Sequence, residues 1–144
     1  MFGFFKKKQQ ITNSGIEPST RETLIRTAQM LDMQLFICKS ADRYDEVLNS
    51  PYVKGYLLGF FDAALQYSKV PVDNDERFFS LMAFGHMALL GKENAFDYVA
   101  SSVMLQKDSK FQHGQAEGGS EYFDYLNEKI RSPYKLTNHF HNLS

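Results

Sequence analysis

Residues 50–69, SPYVKGYLLGFFDAALQYSK, form the longest strongly apolar stretch of the chain. Ser50 is suited to cap a helix, and Pro51 fits the first helical position, where its missing N–H would have had no intrahelical partner. At about 100° per residue, the apolar side chains cover more than half of a helical circumference, which is wider than a surface helix needs. These side chains are Val53, Tyr56, Leu57, Phe60, Phe61, Ala64, Leu65 and Tyr67. We therefore predict that residues 51–69 form a central helix.

The remaining sector of this helix carries Gly55, Gly59, Asp62 and Gln66 close to one line. Each glycine costs about 1 kcal/mol relative to alanine inside a helix. Two glycines one turn apart therefore indicate the close approach of another backbone. The alternative is an ordinary solvent-facing side on which glycine is tolerated.

A second pair of glycines, Gly114 and Gly118, has the same spacing of four residues. In water, such small-residue pairs mark close packing between helices. The two pairs could face each other within the fold, or they could face a second copy of the chain. We therefore regard Gly55, Gly59, Gly114 and Gly118 as packing or interface residues.

Helical spacing continues along most of the chain. Apolar residues recur at intervals of four and three from Leu24 to Cys38, and Ser19 with Glu22 forms a capping box in front of them. Further helices are predicted at about 75–90, 93–106 and 109–130, with a shorter segment at 40–49. The glycines within 109–130 leave open whether that segment is one helix or two.

Together these segments predict an all-α, single-domain bundle of about five main helices around helix 51–69. We expect a flexible N-terminal arm at residues 1–18, a helical domain at 19–132, and a C-terminal tail at 133–144. The tail follows Pro133, which ends the last helix, and it shows no clear period, so we expect it to be extended or mobile.

The composition restricts the class of partner. With a formal net charge of −1 over 144 residues, the chain lacks the bulk positive charge of a typical nucleic-acid-binding surface. The single cysteine, Cys38, lies on an apolar stripe and indicates a small buried hydrophobe in a reducing compartment.

The sequence contains no apolar run of the roughly 18 residues needed to cross a bilayer, and its start lacks the apolar segment of a secretory signal. We therefore expect a cytoplasmic protein. Residues 2–8 place three phenylalanines beside three lysines, which could give weak contact with an anionic membrane surface. A flexible arm explains the same residues.

Asp62 and His86 are candidates for a site close to the core, because Asp62 would lie inside a close helix crossing on the glycine line and helical rotation places His86 on an apolar face. If the two side chains meet, the carboxylate fixes the imidazole tautomer and raises its pKa, as in a general-base site. A satisfied structural histidine is the alternative. If burial dominates, the pKa of His86 falls instead, which is the outcome we predict.

His113, Glu117 and Glu121 stand four residues apart on one helical face, a spacing that can direct an imidazole and carboxylates toward one metal ion. The face lies opposite Phe111 and Tyr122, so a solvated polar surface explains the pattern without a ligand. His139 and His141 form a His-x-His sequence in the tail that could bind a transition metal opportunistically. We predict no metal or other cofactor at either place.

Phosphate-binding loops, dinucleotide fingerprints, nucleophile elbows and paired cysteines are absent from the sequence. The first hypothesis is therefore a non-enzymatic protein-interaction or regulatory module that self-associates as a homo-oligomer or binds a protein partner. The alternative is a small-molecule-binding or hydrolytic helical protein with Asp62 and His86 in an internal pocket.

Overall fold

The computed structural model describes residues 15–142, in which there are seven α-helices and no β-strand. The helices are α1 (Pro18–Cys38), α2 (Tyr44–Leu48), α3 (Pro51–Tyr67), α4 (Asp75–Leu90), α5 (Lys92–Val103), α6 (Ser109–Leu126) and α7 (Lys135–Asn142). The prediction of an all-α bundle with five main helices is confirmed, because the five long helices lie where the apolar periodicity placed them. The segment that could have been two helices is one, α6.

The capping of two helices differs from the prediction. Helix α1 begins at Pro18, with Glu17 at the cap position and no side-chain cap, so Ser19 and Glu22, the expected capping box, both lie inside the helix. Ser50 does precede α3, but its hydroxyl donates to the Val47 carbonyl at 2.6 Å instead of capping the helix. The Ser50 side chain therefore hydrogen-bonds to the backbone of the preceding turn and not to the amides at the start of α3.

Helix α3 is the centre of the bundle and packs against α1, α2, α4, α5 and α6. Twelve of its seventeen residues are buried, which agrees with its broad apolar circumference. Its aromatic residues Tyr56, Phe60 and Phe61 are among the largest fully buried side chains of the described residues. Burial of each such side chain contributes about 1.5–3 kcal/mol before the entropy of ordering is subtracted.

The two glycine pairs face each other across the contact between α3 and α6. A Cβ atom added at Gly55 would overlap the Phe111 carbonyl oxygen, and one at Gly59 would overlap that of Gln115. In return, Cβ atoms at Gly114 and Gly118 would overlap the carbonyl oxygens of Tyr52 and Tyr56. Residue numbers rise together along both helices, so α3 and α6 run parallel and cross with their backbones in contact.

The C-terminal segment is helical, and the prediction of an extended or mobile tail is wrong for residues 135–142. Leu136 and Phe140, one turn apart, are both fully buried. The ring of Phe140 stacks on Tyr44 with centroids 5.3 Å apart. Helix α7 is too short to show a repeating apolar period, and its two buried side chains, Leu136 and Phe140, pack against other helices.

The expected arm at residues 1–18 and the expected membrane contact through residues 2–8 fall largely or wholly outside the described residues. Within residues 15–142, no helix combines the length and the apolar composition needed to cross a membrane.

Candidate functional site

A cleft of about 700 Å³ lies where α3 and α6 begin and α7 passes over them. Because α3 and α6 are parallel, their N-terminal ends meet at the same end of the bundle. The lining residues are mostly polar or aromatic: Ser50, Pro51, Tyr52, Ser109, Lys110, His113, Glu117, Lys135, Asn138, His139 and Asn142.

Glu117 on α6 contacts three other side chains of this cleft. Its carboxylate accepts a hydrogen bond from the Tyr52 hydroxyl at 2.6 Å and lies 3.1 Å from the Lys135 ammonium nitrogen. The Nε2 atom of His113, one turn earlier on α6, lies 3.4 Å from the same carboxylate. One carboxylate therefore joins side chains from three helices, α3, α6 and α7.

This arrangement displaces the pKa values of its members. Burial raises the pKa of Glu117, but hydrogen bonds from Tyr52 and Lys135 and the nearby positive charges outweigh it, so the net pKa is lowered. The hydrogen bond to Glu117 raises the pKa of Lys135. Burial, followed by the hydrogen bond to Glu117, raises the pKa of the Tyr52 hydroxyl well above its usual value. An ionised carboxylate and a protonated lysine thus stabilise each other at neutral pH.

His139 forms the wall of the cleft contributed by α7. Its ring stacks on Tyr52 with centroids 4.0 Å apart and an interplanar angle of 24°. Burial lowers the pKa of His139, which favours the neutral imidazole. Among the described residues, its buried Nε2 atom has no hydrogen-bond partner. Of the predicted His-x-His pair, His139 lines the cleft and His141 is exposed on the surface.

Glu121, one turn beyond Glu117, is almost completely buried, so the prediction of a solvated polar face is wrong at this position. Its carboxyl group accepts hydrogen bonds from the Tyr56 hydroxyl and from the backbone amides of Tyr134, at 2.8 Å, and Lys135, at 3.1 Å. The last two contacts satisfy amides at the start of α7. Glu121 thereby fixes the helix that covers the cleft.

The three residues predicted as possible metal ligands do not form a ligand set. His113 and Glu117 are in contact, but Glu121 is occupied by Tyr56 and the start of α7. Within residues 15–142, no three His, Cys, Asp or Glu side chains are grouped closely enough to hold a metal ion.

Asp62 and His86 are not hydrogen-bonded to each other. Asp62 is half-buried and accepts a hydrogen bond from Gln66 at 3.0 Å. His86 is fully buried, and its Nδ1 atom lies 2.7 Å from the Met82 carbonyl, which can only accept, so Nδ1 carries the proton. The remaining atom, Nε2, has no partner among the described residues. Burial lowers the pKa of His86 to about 4.

Sequence reasoning missed Tyr52, Lys110 and Lys135 as members of a site. Tyr52 reads as one more apolar residue of the central helix, and Lys135 falls in the segment expected to be unstructured. The spacing of Lys135 and His139 by four residues was an available signal for a shared helical face. Their position beside Glu117 depends on the parallel crossing of α3 and α6, which cannot be predicted from a local sequence pattern.

Comparison with protein-family models, curated proteins and solved structures finds no match to this chain.

Proposed function

We propose that this chain is a binding module for a small polar molecule, which it holds in the cleft between α3, α6 and α7. The observation that carries this proposal is the convergence on Glu117 of Tyr52, His113 and Lys135 at the wall of one cleft. A volume of about 700 Å³ is comparable with that of small-molecule sites, which range from about 300 to 1,000 Å³.

Two further features support a binding role. Titratable groups with displaced pKa values are collected in one concave place, and such groups cluster at functional sites. In addition, the stacked rings of Tyr52 and His139 supply a rigid aromatic wall, and Asn138 and Asn142 supply amide groups that can donate or accept. This places the site away from Asp62 and His86, which the alternative hypothesis had assigned.

A fragment screen followed by NMR tests this proposal, using a library of small acids, bases and neutral polar molecules. We expect saturable shifts of the Tyr52, His113 and His139 signals. Asn138→Trp should abolish the shifts by filling the cleft. The matched control is Asn94→Trp, which fills a second cleft of about 520 Å³ lined also by Asp45 and Asp97. Absence of cleft-directed hits, or equal binding by both variants, would overturn the proposal.

A second candidate function, self-association, is favoured by the solvent-facing side of α1. Met33, Phe36 and Ile37 are exposed by 72%, 74% and 57%, and they lie within two turns of each other. The same face carries Glu22, Arg26 and Asp32, so two copies would bring charges of both signs together without bulk repulsion. The proposed occupant is a second copy of the chain, related by a two-fold axis.

This dimer should be weak. One face of α1 is roughly 30 Å long and about 10 Å wide, so its area is roughly 300 Å². Each partner in a stable complex usually buries roughly 800 Å², which is considerably more. The glycine pairs contact each other within the chain and add nothing to such an interface.

Light scattering across a concentration series tests self-association. We predict a concentration-dependent rise above the monomer mass of 16.6 kDa that Phe36→Asp removes. Met104→Asp is the matched control, because Met104 is 85% exposed but lies at the end of α5, outside the α1 face. A constant monomer mass to millimolar concentration would exclude the dimer.

A further inference from the structure

The charges around the cleft are unequal. Among residues 15–142, two lysines and two histidines line it, against one carboxylate, Glu117. The negative charge of Glu117 is balanced by Lys135, and its carboxylate also contacts the Tyr52 hydroxyl and the His113 imidazole. Lys110 is exposed and adds a positive charge, so these lining residues carry a net charge of +1 with both imidazoles neutral.

Asp108, two residues before Lys110 in the chain, is engaged in contacts of its own. Asp108 caps α6 and accepts hydrogen bonds from the backbone amides of Lys110, at 2.8 Å, and Phe111, at 3.0 Å. Its charge is therefore directed at the helix start. The start of α3 faces the same cleft without a side-chain cap, because the Ser50 hydroxyl donates elsewhere. The positive end of this helix adds to the attraction for an anion.

Resting on the binding function proposed above, we infer that the ligand is anionic and that its phosphate group lies between Lys110 and Lys135, beside His113 and His139. Lysine ammonium groups bind phosphate as point charges, and imidazole and amide N–H groups supply the directional hydrogen bonds. The remaining part of the ligand can contact the half-buried His139 ring, which is stacked on the buried Tyr52 ring.

A phosphate fits this lining better than the other classes of small ligand. A cation would meet two ammonium groups and a carboxylate whose contacts are already made. A neutral molecule would gain nothing from the charge of Lys110, which is exposed and hydrated. The donors of this cleft lie on two helices, α6 and α7. A phosphate has more oxygen atoms to accept from them than a single carboxylate, which has two.

The test is an NMR titration of the full chain with inorganic phosphate, at constant ionic strength and constant pH. We expect saturable shifts confined to the cleft. Lys110→Ala should weaken binding about tenfold, the lower end of the loss expected for a charge-assisted hydrogen bond, because Lys110 is exposed. The matched control is Lys129→Ala, which removes the same charge beyond the opposite end of α6 and should leave binding unchanged. Acetate is titrated in parallel.

Each unfavourable result has a distinct meaning. Equal weakening by Lys110→Ala and Lys129→Ala, or shifts scattered over the surface, would overturn the phosphate site. Tighter binding of acetate than of phosphate would overturn the choice of phosphate. If uncharged fragments occupy the cleft while phosphate does not, the anionic class is wrong and the proposed binding function stands. If neither fragments nor phosphate bind, both proposals fail.

Discussion

His86 shows how one buried residue makes stability depend on pH. Its ring packs against Phe61 and Tyr98, with centroids 4.9 and 5.7 Å away, and no carboxylate within residues 15–142 hydrogen-bonds to it. Burial therefore outweighs every other influence and lowers the pKa of His86 to about 4. The unfolded chain takes up the proton near pH 6.5, so it binds more protons than the folded chain between these values.

From this difference we predict that His86 contributes stability above about pH 6.5 that is lost as the pH falls toward 4. The loss amounts to about 3 kcal/mol in the free energy of unfolding, at about 1.4 kcal/mol per pKa unit. Urea unfolding at pH 7, 5.5 and 4 measures it. His86→Phe should flatten the pH dependence, and the exposed control His141→Phe should not. A wild-type slope retained in His86→Phe would contradict the assignment.

His86 and Glu121 show how well helical rotation predicts the burial of a single residue. Helical rotation placed His86 on an apolar face, and the structure buries it. It placed Glu121 on a polar face, yet the structure buries that residue as well. The rotation angle was right in both cases. What covers Glu121 is Tyr56 from α3 and the start of α7, and contacts between distant segments are invisible to a periodicity argument.

At the scale of elements, prediction succeeded where apolar residues recur over several turns. The boundaries of α4 were predicted as residues 75–90, and Asn74 caps this helix through the Arg77 amide. Helix α7 was missed because eight residues with two buried anchors do not establish a period. Four of the eleven residues that line the cleft were missed with it, because Lys135, Asn138, His139 and Asn142 belong to α7.

Helix α7 should depend on its buried anchors. We predict that Phe140→Ala lowers the free energy of unfolding by about 3 kcal/mol, because it leaves a cavity against Tyr44. It should also speed amide hydrogen exchange across residues 135–142. His141→Ala, next to it but exposed, is the control and should change stability by less than about 0.5 kcal/mol. Equal effects of the two substitutions would show that α7 is not anchored as described.

At the scale of the whole molecule, the fold and the cleft have one common cause. Helices α4 and α5 lie between α3 and α6 in the chain and allow α6 to run parallel to α3. The four glycines then let the two backbones touch. The sequence indicated a close approach at Gly55 and Gly59, but it left open whether the partner was the second glycine pair or another copy. Tertiary packing decides which partner the glycines contact. It also brings the N-terminal ends of α3 and α6 together at the end of the bundle where the cleft opens.

The central claim, that this backbone contact holds the molecule together, is tested most directly by comparing two adjacent glycines in α6. A Cβ atom at Gly118 would overlap the Tyr56 carbonyl oxygen, whereas one at Gly119 would lie 3.6 Å from the Gly59 oxygen, an ordinary contact. Both substitutions to alanine gain the same helix propensity, at most about 1 kcal/mol. Any difference between them therefore reports the crossing itself.

The measurement is the free energy of unfolding of Gly118→Ala and Gly119→Ala, determined by urea denaturation under identical conditions. We predict that Gly118→Ala loses about 3 kcal/mol or more, or fails to fold, because a backbone carbonyl cannot move aside as a side chain can. Gly119→Ala should keep the wild-type stability or gain up to about 1 kcal/mol. Equal stabilities of the two variants, or a gain in Gly118→Ala, would contradict the account.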